Sequence, residues 1–85
     1  MHTVDLLDQA IEAAKRLGFK IRQDWLGGSW GVCEIKGQRW IFLDVSLGAG
    51  DQLHLVLDAI RDEPGLHRMT LAPELARLLD ARLTA

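Results

Sequence analysis

Apolar residues at Val4, Leu7, Ile11 and Ala14, with Leu6, Ala10, Ala13 and Leu17 beside them, recur at steps of three and four. That spacing lays a broad stripe along one side of a helix over Val4 to Leu17. Thr3 fits the N-cap, while Asp5 and Asp8 sit near the positive end of the helix dipole. Lys15 and Arg16 fall in the last turn, and Gly18 can take the left-handed conformation that ends a helix. Start, stripe and stop agree.

The period then changes to two. Phe19 and Ile21 alternate with Lys20 and Arg22, which predicts a half-buried strand ending near Asp24 or Trp25. Gly27-Gly28-Ser29 reads as a turn and Trp30 to Lys36 as a second strand. Lys36-Gly37-Gln38 is a short hairpin turn into a third strand, Arg39 to Val45. Trp40-Ile41-Phe42-Leu43 is apolar on both parities, the mark of a strand that is central or covered on both sides. Two short turns between three strands predict an antiparallel meander.

Beyond the glycines of Ser46 to Gly50, a second helix is expected from Asp51 to about Arg61, burying Leu53, Val56, Leu57 and Ile60. Asp62-Glu63-Pro64-Gly65 is a loop, and Met69 to Leu71 has the look of a short edge strand. Pro73 suits the first turn of a third helix to Leu83, with Leu75, Leu78, Leu79 and Leu83 inward. The expected order is α-β-β-β-α-(β)-α: a single α+β domain over residues 1–85, with a three-stranded antiparallel meander, a possible fourth strand and three helices.

Composition narrows the function classes. Ten Lys plus Arg against twelve Asp plus Glu leave a formal charge of −2, which argues against a strongly basic nucleic-acid binder. No apolar run approaches the ~18 residues of a membrane span, so neither a membrane helix nor a secretory signal is expected. A lone cysteine makes no internal disulfide and favours a reducing compartment, the cytoplasm. Chains of this size bury only about 60–65% of their unfolded surface. A third strand apolar on both sides and a leucine-rich third helix offer more apolar face than one layer hides, so a homodimer is expected. The alternative is that the first two helices cover one sheet face and the third helix the other.

The stretch Leu26 to Asp44 carries Gly27-Gly28, then Gly31-Val32-Cys33, then Lys36-Gly37, then Phe42-Leu43-Asp44. It resembles a pattern in small uncharacterised bacterial proteins: a Gly-Gly turn, Gly-x-Cys, a Lys-Gly hairpin and an apolar strand ending in Asp. The resemblance implies a bacterial, cytoplasmic origin and brings no activity, cofactor or site residue with it. Trp30 stands where the pattern leads one to expect a smaller residue.

Candidate chemistry is sparse. Cys33 shares a strand face with Gly31 and Ile35; a reactive thiol needs a cation, helix N-terminus or histidine to lower its pKa, and the blander reading is a small hydrophobe beneath a helix. His2, His54 and His67 with Cys33 lack the close spacings of zinc ligands, so no metal or other cofactor is expected, and His54 with Asp58 reads as a surface pair. Asp44 ends the third strand where catalytic acids often stand, but no second carboxylate is placed by sequence beside it; otherwise it caps the following loop. Trp25 and Trp30 flank the Gly27-Gly28 turn, and Trp40 is expected across the hairpin from Trp30 or Val32. Exposed tryptophans beside glycines make a binding platform, although at least two of the three are expected as core or interface anchors. Lys20, Arg22, Lys36 and Arg39 offer a modest basic sheet face of the kind single-strand nucleic-acid platforms use, against the acidic whole.

The reading that follows is a small non-enzymatic cytoplasmic protein-interaction module, homodimeric, with Trp25, Gly27, Gly28, Trp30, Cys33 and Asp44 as candidate binding residues. The alternative is a small-ligand-binding protein or enzyme with a pocket near Cys33 and Asp44. No catalytic residue, membrane contact or nucleic-acid partner is expected.

Overall fold

A computed structural model of the chain describes residues 2–25 and 31–84. Helix α1 runs His2–Arg16 and is followed by strands β1 (Lys20–Asp24), β2 (Gly31–Ile35) and β3 (Gln38–Asp44). Helix α2 (Ala49–Ile60), a 3₁₀ turn over Pro64–Arg68 and helix α3 (Pro73–Thr84) complete the order. The fold is α+β, as the periodicities predict.

Helix α1 ends as its sequence requires. Gly18 takes φ +99°, its amide donates to the Lys15 carbonyl, and the Phe19 amide donates to the Ala14 carbonyl. These paired bonds are a Schellman motif, open to glycine because it carries no Cβ. The start differs from expectation. Thr3 lies inside the first turn rather than at the N-cap, and Val4 is exposed. The buried stripe begins at Leu6 and continues through Leu7, Ala10, Ile11, Ala13 and Ala14. Leu53, Val56, Leu57 and Ile60 of α2 pack against it, the alanines letting the two helices approach.

The sheet departs from a meander. Its strand order is β1-β3-β2, with β1 parallel to β3 and β2 antiparallel to it. The reason lies in β3: with apolar residues on both parities, it gains most from a neighbour on each side. Residues 25–30 join β1 to β2 and are long enough for the roughly 10 Å step across two strand spacings. From β2 the chain returns through a two-residue turn in which Lys36 (φ 52°) and Gly37 (φ 79°) are both left-handed, the I′ pattern that matches strand twist. Only the β2–β3 half of the expected meander forms. No strand forms at Met69 to Leu71; the 3₁₀ turn ends at Arg68, and Met69 and Leu71 pack against the core from the loop that follows it. Gly65 in this turn approaches α1 closely, since a Cβ there would meet Leu17 Cδ2 at 2.9 Å.

Helices α1 and α2 cover the sheet face bearing Ile41 and Leu43, both fully buried. Helix α3 does not cover the opposite face: it packs on α1, with Leu75 and Leu79 in the same core and Leu78 at its margin. Arg39 locks the arrangement. Its guanidinium donates to both Glu63 oxygens at 2.7 and 2.8 Å, reaches the Leu17 carbonyl at 3.3 Å and lies 4.1 Å from the Phe19 ring centroid. One side chain thereby ties β3 to the exits of both α1 and α2.

Candidate functional site

Alternation along β3 sends Trp40 and Phe42 to the face away from the helices. Their rings stack at 5.8 Å and 12°, outside the core, and the Lys20 ammonium lies 5.5 Å over the Trp40 ring. The register places Lys20 and Arg22 of β1 on one side of this pair, and Cys33 and Gly31 of β2 on the other. Ile35, one step further along β2, extends the same face. The result is an open aromatic and aliphatic surface with a cationic margin.

Two expectations are corrected here. Cys33 is exposed rather than packed beneath a helix, because the helices cover the opposite parity and β2 is an edge strand. Trp40 is part-exposed rather than core, for the same reason, and its partner across the hairpin is Cys33, not Trp30 or Val32. Trp25 stands just past β1 and is 76% exposed. Gly27, Gly28 and Trp30 lie outside the described residues.

Asp44 is fully buried, and its Oδ1 accepts from the Ser46 amide at 2.9 Å and the Ser46 hydroxyl at 2.8 Å. Asp44 and Cys33 do not converge. Cys33 pairs with Trp40, four residues back along β3, which is a separation of about 13 Å at the usual strand rise. The parallel register brings a different group to Asp44: its partner is Asp24, so a second carboxylate does stand beside it. Asp24 is held ionised by local bonds. The Trp25 amide donating at 2.8 Å, then the Arg22 guanidinium at 3.2 Å, lower its pKa from the ordinary value. Sequence spacing gave no hint of this neighbour, because the parallel pairing joins residues twenty apart.

The expected basic sheet face divides. Lys20 and Arg22 are on the open side, Lys36 is in the turn, and Arg39 points to the helices, where bonding to Glu63 raises its pKa. Gln52, buried on α2, accepts from Gln23 at 3.2 Å and donates to the Leu47 carbonyl at 2.9 Å, pinning the β3–α2 loop. A separate groove of about 290 Å³ runs between α1 and the segment entering α3, with Asp8, Glu12 and Arg16 along it and Met69, Leu71 and Leu75 among its apolar residues. Among the described residues no group of three or more His, Cys, Asp or Glu converges on one point. Among the described residues no helix is long and apolar enough to cross a membrane. No protein-family model, curated protein or solved structure matches this chain.

Proposed function

We propose that the chain is a non-enzymatic protein-interaction module that works as a homodimer in the cytoplasm. The observation that carries this reading is β2: Val32 and Ile35 stand 53% and 45% exposed on an edge strand, beside the open Trp40–Phe42 face. On the open face Ile35 extends the Trp40–Phe42 surface, while Val32 stands on the other face of the same edge strand; burying such apolar area returns roughly 25 cal/mol for each Å². The chemistry of the face fits a polypeptide. It offers stacked rings and aliphatic side chains for packing, with Lys20 and Arg22 at the margin for polar contacts. The exposed thiol of Cys33 supports a reducing compartment.

Sedimentation velocity of the reduced protein over a wide concentration range tests the reading. The expected result is a reversible dimer of the 9.5 kDa chain. A monomer at every concentration overturns it.

A further inference from the structure

Val32 and Ile35 point to opposite faces of β2, because side chains alternate along a strand. No element lying on a single face covers both. What covers both is an element that continues the sheet past β2, using the backbone groups that β3 leaves unpaired. Gly31–Ile35 has no proline and a single charge, Glu34, so it lacks the guards that usually close an edge to pairing.

We infer that a second copy of this chain pairs there, β2 antiparallel to the partner's β2 across a twofold axis midway between Cys33 and the partner's Cys33. This rests on the homodimer proposed above and adds its surface and register. A twofold normal to a sheet keeps each face on its own side, so residues pair only with residues of equal parity, and the axis passes midway between one residue and its own copy. Three centres are available. Centred on Val32, only Gly31, Val32 and Cys33 pair within Gly31–Ile35. Centred on Glu34, the two like carboxylates face each other, which disfavours pairing. Centred on Cys33, all five residues pair: Gly31 with the partner's Ile35, Val32 with the partner's Glu34, and Cys33 with the partner's Cys33.

The side chains accept this register. A Cβ placed on Gly31 would meet nothing within 4 Å, so the partner's Ile35 finds open space over it. Glu34 keeps Arg39 as its neighbour on β3 while it faces the partner's Val32. The two sheets become one of six strands, helices on one side, with both Trp40–Phe42 faces joined into a single surface on the other.

Two readouts test this on the full chain. Paired Cα atoms in an antiparallel ladder are about 4.5–5.5 Å apart, within the usual range for a disulfide. Diamide, which takes two electrons and two protons from two thiols, is therefore expected to convert the folded dimer into a Cys33-linked dimer that Cys33→Ser abolishes. The second readout is the Kd of the reduced protein. Val32→Asp sets a carboxylate against the partner's Glu34 twice, which weakens the dimer by roughly 2- to 30-fold. Val32→Lys sets a cation there instead, regains part of the lost apolar contact, and weakens the dimer less than Val32→Asp does. Val32 is exposed in the single chain, so neither variant disturbs folding. The reverse charge pattern means the Glu34 register and overturns the inference. A dimer that diamide does not link and Val32→Asp does not weaken overturns the edge geometry while leaving the interaction module standing. A monomer throughout overturns both.

Discussion

Arg39→Ala removes the side chain that joins β3 to the exits of both packed helices. Two charge-assisted bonds to Glu63, the bond to the Leu17 carbonyl and the contact with the Phe19 ring go together. Hydrogen bonds to charged groups contribute about 1.5–3 kcal/mol when shielded. Here Arg39 is 38% and Glu63 19% exposed, so screening by water reduces the pair to about 1–2 kcal/mol. The cation over the ring adds about 0.5–1 kcal/mol. The expected loss is roughly 1.5–3 kcal/mol, against the total of about 4–13 kcal/mol usual for a chain of this length. It lowers Tm by on the order of 10 °C. Urea unfolding followed by tryptophan fluorescence measures it, with an unchanged m-value showing that the denatured state is unaltered. The cycle of Arg39→Ala, Glu63→Ala and the double variant isolates the pair. A loss under about 0.5 kcal/mol for Arg39→Ala, or strict additivity in the cycle, refutes the clamp.

Three further outcomes are expected. Lys36 holds a left-handed φ that costs a side-chain-bearing residue about 1 kcal/mol, so Lys36→Asn raises thermal stability by roughly 0.5–1 kcal/mol; no gain on melting refutes the I′ assignment. The Arg39 bonds hold Glu63 below its ordinary pKa of 4.5, so its contribution is complete above that value and lost as pH falls through the depressed one. Stability measured from pH 6 downward therefore falls more steeply in the wild type than in Glu63→Gln, and parallel curves exclude the linkage. Asp44→Ala strips the acceptor from two Ser46 donors, which costs about 1–3 kcal/mol and speeds exchange of the Ser46 amide; unaltered exchange means that the carboxylate does not hold the loop.

Elements whose pattern is local were readable in the chain. The stripe of α1, its glycine stop, the leucine face of α2 and the proline start of α3 each follow from spacing and from one or two special residues. Interactions that depend on pairing order were not. Two short-range turn signals suggested neighbouring strands, yet β1 and β2 are separated by β3. Hence Asp24 beside Asp44 and the edge position of β2 escaped the sequence, while Cys33 beside Trp40 was a matter of register within the expected β2–β3 hairpin. Arg39 read as part of a basic face because its partner Glu63 lies twenty-four residues away on another element.

The same topology bears directly on the proposed function. In a β1-β2-β3 meander, β2 would be the central strand, with both backbone edges satisfied and Val32 and Ile35 flanked by neighbours. Placing β3 in the middle gives the most apolar strand two partners and moves β2 to the rim. Val32 then overhangs the helical layer although its register partner Ile41 is buried, and Ile35 overhangs the aromatic face. The fold thus satisfies its core by transferring an apolar strand to its boundary. What β2 lacks, after that transfer, is a neighbour of the same kind as the one it has in β3, and in the dimer proposed above its own copy would supply one across all five residues of Gly31–Ile35.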